Sequence, residues 1–119
     1  MNPTTSDKYE TDGWLKNIFL GWFDPCPINP LPFTDGLGMS WGERTFINPP
    51  YSNPLPWIRK GIKEAAKGKT IVFLVKHDTS TRWYAELHAA GARFLMVQGR
   101  LKHGTGKSAA FPSVLAVLN

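Results

Sequence analysis

Cysteine is nearly missing from this chain. Cys26 stands alone among 119 residues, which excludes an internal disulfide and fits a reducing compartment. Long apolar runs are missing too: no window approaches the ~18 residues of a membrane-spanning helix, and no basic-then-apolar leader stands at the N-terminus. Neither secretion nor membrane insertion is expected, and the expected setting is the cytoplasm. No internal repeat is visible, and a chain of this length can fill one core but not two. Acidic residues are the minority charge, 9 against 14 Lys and Arg, giving a net +5 and a pI near 9.6. That balance suits a polyanionic partner without requiring one.

Proline and aromatic residues are plentiful instead, and they converge at Thr45-Phe46-Ile47-Asn48-Pro49-Pro50-Tyr51-Ser52. A β-branched and aromatic run enters two consecutive prolines. Strand character must stop at Asn48, because proline cannot donate to a ladder and fixes its own φ. Asn48 and Pro49 each precede a proline, which holds both in extended geometry. The result is a stiff corner carrying an amide side chain, bare carbonyls and an aromatic ring. Asn48 Oδ1 and the Pro49 carbonyl can accept both hydrogens of an exocyclic amine while Tyr51 stacks on a base face. The plain alternative is a proline-stiffened strand-to-helix turn with Tyr51 packed on the surface.

The flanking segments fit an α/β domain. Residues 1–10 are polar and expected to be flexible. Thr11 or Asp12 can cap a helix in which Trp14, Leu15, Ile18, Phe19 and Trp22 recur at helical spacing. Prolines at 25, 27, 30 and 32 then forbid helix, so Phe23-Asp24 is at most a strand end. Asp24 can serve a ligand ammonium or ribose hydroxyl, or merely cap its own turn. Asp35 to Trp41 is loop-like, with Trp41 an anchor.

After the corner, Pro56 suits a first helical turn, and Trp57, Ile58, Ile62, Ala65 and Ala66 share one face up to Gly68. Thr70 to Val75 is the unbroken apolar run of a strand covered on both faces. Lys76 to Ser80 is a polar loop, Arg82 to Ala90 a helix closed by Gly91, and Arg93 to Gln98 and Ser113 to Leu118 two further strands. This alternation predicts a mostly parallel sheet with an antiparallel C-terminal hairpin on its edge. Ligands in such sheets sit beyond the carboxyl ends of the strands, where Asp24, Asn48 to Tyr51 and His77 to Thr79 would fall.

Asn48-Pro49-Pro50-Tyr51-Ser52 resembles the catalytic motif of N6-adenine DNA methyltransferases. The wider pattern is similar to the small phage-type (Dam-type) family: Thr11 with Trp14, Phe23-Asp24-Pro25-Cys26, Asp35-Gly36-Leu37 with Trp41, Phe73-Leu74, Trp83, Gly99-Arg100-Leu101, and Phe111-Pro112-Ser113 before an apolar strand. Together these reach from about residue 6 to the C-terminus. The proline-proline motif is specific to amino-group methyltransferases; the remainder is specific in combination.

The resemblance implies S-adenosyl-L-methionine as cofactor, DNA as partner, and methyl transfer to the N6 amine of a flipped-out adenine. Asn48, Pro49, Pro50 and Tyr51 would be the catalytic corner. Thr11, Trp14, Asp24, Pro25 and Cys26 would line the cofactor pocket, and Ser52, Lys76, His77, Arg100, Lys102 and Lys107 would meet DNA. The implied fold is a trimmed Rossmann-like methyltransferase sheet with helices on both faces, residues 11–119 forming one minimal domain. No Gly-x-Gly turn follows Asp24. Only 24 positions separate Asp24 from Asn48, whereas a βαβ unit takes about 30 or more. The sheet must therefore be short, the acidic ribose ligand of larger methyltransferases has no clear match beyond Asp35, and no inserted target-recognition domain is present.

Three rival chemistries arise from other residues. Gly104-Thr105-Gly106-Lys107-Ser108 suggests a phosphate-binding loop, but Leu101 occupies a required glycine position and Phe111-Pro112 follows where a helix should open. A mobile basic loop near DNA phosphates, or a plain solvated loop, fits better. His77, His88, His103 and Cys26 show no ligand spacing, so no metal site is expected. Arg59, Lys60, Lys63, Lys67 and Lys69 can either track a DNA backbone or form a solvated helix face. A non-catalytic binding module and a cytosine-N4 methyltransferase stay open as alternatives, since the same corner would hold either amine.

Overall fold

The computed structural model describes residues 13–27, 35–97 and 112–119. Thr11, Arg100, Lys102 and Lys107 lie outside these, as do the helix caps expected at Thr11 and Asp12 and the Gly104 to Ser108 loop. The elements in chain order are α1 (Gly13–Ile18), β1 (Arg44–Ile47), α2 (Leu55–Ala65), β2 (Thr70–Lys76), α3 (Arg82–Ala89), β3 (Arg93–Met96) and β4 (Ser113–Leu118).

β2 is the spine of the fold because all five residues from Ile71 to Val75 are buried, as an unbroken apolar run demands. β1 joins it in parallel, Thr45 opposite Ile71 and Ile47 opposite Phe73. Alternate residues of β2 then serve two half-cores. Ile71, Phe73 and Val75 meet Ile58 of α2 and Leu87 of α3, while Val72 and Leu74 meet Leu15 of α1 and Phe46. Helices thus cover both faces. Positive-φ glycines sit just past the ends of α2 and α3, at Gly68 and Gly91, where a side chain would be strained. No helix among the described residues is long and apolar enough to cross a membrane.

Two expectations are corrected. The sheet is mixed rather than mostly parallel: its order is β1-β2-β4-β3, and β4 is antiparallel to both of its neighbours. The antiparallel β3–β4 pair exists, but β4 is inserted beside β2 and only β3 is an edge. Burial explains the order. β4 hides Ser113, Val114, Ala116 and Leu118, which requires a strand on each side, whereas β3 leaves Arg93, Leu95 and Met96 exposed. The N-terminal helix is also shorter than its periodicity predicts. Leu15 is buried and Phe19 and Trp22 pack on the sheet, but Trp14 and Ile18 stand 50% and 60% exposed.

Candidate active site

The corner begins where β1 ends. Thr45, Phe46 and Ile47 are buried, Pro49 is fully buried, and Asn48, Pro50 and Tyr51 are half-buried. The bend is therefore anchored at its centre, with Asn48 and Tyr51 on either side of the anchor. Ser52 and Asn53 are exposed at the tip, where the Asn53 N–H donates to the Pro50 carbonyl at 3.3 Å. α2 starts at once, with Pro56 in its first turn and the Ile58 N–H donating to the Pro54 carbonyl at 3.0 Å. Strand, corner and helix follow one another as the sequence requires.

A second segment lies alongside. Phe23 makes an isolated parallel bridge with Thr45, its N–H donating to the Arg44 carbonyl at 2.9 Å and its carbonyl accepting from Phe46 at 3.0 Å. Asp24 consequently leaves the sheet beside β1, at the same end as the corner. Its Oδ1 accepts the Cys26 N–H at 2.9 Å, so the carboxylate organises its own turn while remaining exposed. Pro25 is buried, and Cys26 is half-buried against the core. Trp14 is half exposed on α1.

Residues from the next loop and from α2 lie against this segment. Gly36 is so tightly held that a Cβ there would collide with the Pro25 carbonyl and stand 2.7 Å from the Trp57 ring. The family pattern includes Gly36 without giving it a role, and Trp57 reads only as part of the apolar face of α2; a close approach of backbone to ring explains the glycine. Asp35, the nearest candidate for a ribose ligand, has its Oδ1 taken by the N–H groups of Leu37 and Gly38 at 3.2 and 3.1 Å.

The third contributor is the end of β2. With Ile47 level with Phe73, Asn48 comes level with Leu74, so His77 stands three residues further along. At about 3.3 Å per residue this is about 10 Å beyond the corner. Lys76 and His77 are both exposed there. The His77 N–H donates to the Pro112 carbonyl at 2.9 Å, and its ring stacks on Tyr84, which stacks on Phe94. Beside them, the Ser80 hydroxyl and N–H hold the Asp78 carboxyl below the usual carboxylate range. Thr81 caps α3 by accepting the Tyr84 N–H.

The α2 cations are largely committed elsewhere. Arg59 grips Glu86 with two hydrogen bonds of 2.9 Å, which raises the pKa of the guanidinium and lowers that of the carboxyl. Lys60, Lys67 and Lys69 surround the buried Glu64 at 3.0, 3.6 and 2.6 Å. Of the five, Arg59, Lys63 and Lys67 are exposed, the first and last of them within these ion pairs.

A family model described as DNA N-6-adenine-methyltransferase (Dam) matches residues 32–110. That span includes the Asn48 to Ser52 corner, Gly36, Trp57, Lys76 and His77, but not Trp14 or Asp24 to Cys26. A DNA N-6-adenine-methyltransferase of Haemophilus phage HP1 is 40% identical over 101 residues, covering 70% of this chain and 58% of the relative. One of Escherichia phage T1 is 30% identical over 70 residues, covering 57% of this chain and 29% of the relative. The chain thus spans little more than half of the first relative's length and less than a third of the second's. No solved structure matches.

Proposed function

Because the chain belongs to the DNA N-6-adenine-methyltransferase (Dam) family, we propose that it transfers a methyl group from S-adenosyl-L-methionine to the N6 amine of an adenine in DNA. The observation that carries this reading is the corner itself. Asn48 and Tyr51 flank a fully buried Pro49 at the carboxyl end of a buried parallel strand, within the residues that match the family. The sheet order supports a trimmed Rossmann-like sheet: the Phe23 bridge, β1 and β2 run in parallel, with β4 and β3 beyond them.

Asn48 Oδ1 and the Pro49 carbonyl accept the two N6 hydrogens, which draws the nitrogen lone pair out of conjugation with the ring. Tyr51 stacks on the base, flipped out of the duplex, and fixes the nitrogen's line of approach. Pro50 keeps the corner from relaxing, since its φ is locked. When bound, the cofactor supplies an electrophilic methyl group on a sulfonium. The amine nitrogen held by Asn48 and Pro49 would take that methyl group and release its extra proton to water, with the donor leaving as a neutral thioether; no covalent enzyme intermediate is needed.

The residues present fit the cofactor's chemistry. The exposed Asp24 carboxylate at the carboxyl end of the Phe23 bridge can accept from an ammonium or ribose hydroxyl, and the buried Pro25 and half-buried Cys26 would back it. Thr11 and Trp14 would close the pocket from the N-terminal side. Ser52 at the corner's tip and Lys76 and His77 about 10 Å beyond it suit a polyanionic substrate, with Arg100, Lys102 and Lys107 as further phosphate contacts. The expected setting is the cytoplasm of a bacterial or phage-infected cell, where DNA is at hand.

A second reading, a binding module without turnover, draws on the Asp24 carboxylate's engagement with its own turn. Transfer of labelled methyl from S-adenosylmethionine to unmethylated DNA separates the two. Label in DNA with the wild-type chain and none with Asn48→Ala supports the enzyme. Cofactor binding without transfer supports the module.

A further inference from the structure

Three backbone segments meet behind the corner, and one tryptophan ties them together. Trp41 is 3% exposed and is held at three separate atoms. Its backbone N–H donates to Glu64 Oε1 at 3.3 Å, its carbonyl accepts from Lys69 Nζ at 2.6 Å, and its indole Nε1–H donates to the Gly36 carbonyl at 2.6 Å. Glu64 and Lys69 are in turn joined at 2.6 Å, so the clamp on the Trp41 backbone is itself cross-braced. Two charged ends grip the main chain while the indole N–H extends the constraint to Gly36, five residues upstream.

Gly36 passes the constraint on. A Cβ there would meet both the Pro25 carbonyl and the Trp57 ring, so the glycine lets the two come together on one side of its backbone. Pro25 belongs to the Asp24–Cys26 segment, and Trp57 lies in the first turn of α2, six residues after Tyr51. The candidate cofactor segment and the helix that follows the corner therefore meet beside one glycine, and the Trp41 indole N–H holds that glycine in place.

We infer that Trp41 and Gly36 are positioning residues for the cofactor, acting as a joint that holds the Asp24–Cys26 segment in place relative to the Asn48–Tyr51 corner. Neither residue touches the reacting atoms. Each acts through Pro25 and Trp57, so its removal displaces the cofactor segment and leaves the amine-binding corner intact. This rests on the methyltransferase reading of the site, and it adds a role to residues outside the Asn48 motif. The buried Glu64–Lys69 pair belongs to the same device, because it is what prevents the Trp41 backbone from sliding.

The test uses the 119-residue chain with Trp41→Phe and Gly36→Ala, and Thr81→Ala as a stability control. Trp41→Phe keeps an aromatic ring against Phe73 and removes the N–H. Thr81→Ala removes the side-chain cap of α3, an element that takes no part in the Trp41 and Gly36 contacts. For each, KM for S-adenosylmethionine and kcat on unmethylated DNA are measured, with binding of S-adenosylhomocysteine by calorimetry and Tm alongside. The expected result is a rise in KM and in the calorimetric Kd of roughly five- to tenfold for Trp41→Phe, the worth of one hydrogen bond. Gly36→Ala should shift both further, with kcat at saturation within about twofold in each case. Thr81→Ala should lower Tm with KM and Kd unchanged. Should Gly36→Ala not fold, Trp41→Phe decides alone.

An unshifted KM and Kd in Trp41→Phe, with an active wild type, overturns the inference and spares the functional reading. So does a shift in Thr81→Ala as large as that in Trp41→Phe, since it would trace the effect to stability. A wild-type chain that neither binds S-adenosylhomocysteine nor methylates DNA overturns both.

Discussion

Replacing Glu64 by glutamine removes one buried negative charge and nearly preserves the side chain's shape. Lys69 Nζ at 2.6 Å is the main reason that the Glu64 carboxyl titrates at about 2 instead of 4.5; burial opposes the shift, and Lys60 and the Trp41 N–H add to it. At 1.36 kcal/mol per unit, that shift corresponds at face value to about 3 kcal/mol. Lys60 and Lys69 are 21% and 15% exposed, so water screens the cluster and about 2 kcal/mol is the working figure. The sign follows from which state binds the proton more weakly. The folded-state pKa lies below the unfolded one, so the contribution is complete above about pH 4.5 and is lost as the pH falls toward 2.

Glu64→Gln lacks this contribution at every pH. Its gap from the wild type should be about 2 kcal/mol at pH 7, or about 8 °C in Tm for a chain of this size, and should close between pH 4.5 and 2. Urea unfolding followed by tryptophan fluorescence at several pH values measures the gap directly. A gap constant across that range would show that shape rather than charge is at stake. The absence of any gap at neutral pH would refute the claim that the ion cluster stabilises the fold.

Other outcomes follow from single contacts. Asn48→Ala removes one of the two amine acceptors and should lower kcat by roughly a hundredfold or more, with Tm changed by only a few degrees, read by methyl transfer and thermal melts. Gly61→Ala should cost about 1–3 kcal/mol in urea unfolding despite alanine's better helix propensity, because its Cβ meets the Phe73 ring. Lys76→Ala should weaken DNA binding at every sequence alike and reduce the slope of log affinity against log salt by about 1, measured by fluorescence anisotropy. Binding with an unchanged slope would remove Lys76 from the DNA surface.

Much of the architecture could be read before any coordinates, for physical reasons that differ by element. β2 was legible because five consecutive apolar residues admit a strand buried on both faces, and α2 because its apolar face is bounded by Pro56 and Gly68. The corner was legible because two prolines leave the backbone few options. The place of β4 was not legible: an apolar run announces burial but not which strands flank it, and only pairing with both β2 and β3 satisfies it.

Glu64 is a similar case. Beside Lys60 it reads as an ordinary i,i+4 surface pair, and what buries it, Lys69 and the Trp41 loop, arrives from outside the helix. Asp24 admitted two readings, and its bond to the Cys26 N–H supports the turn without removing the carboxylate from solvent. Gly36 gave no sign of its role, because a contact between backbone and a distant ring has no local signature.

The account turns on Asn48 and the Pro49 carbonyl gripping an adenine amine. Mass analysis of nucleosides from DNA incubated with the chain and S-adenosylmethionine examines that grip most directly. N6-methyladenine from the wild type, and none from Asn48→Ala, is the predicted result. N4-methylcytosine in its place, or N6-methyladenine made equally well by Asn48→Ala, would contradict it.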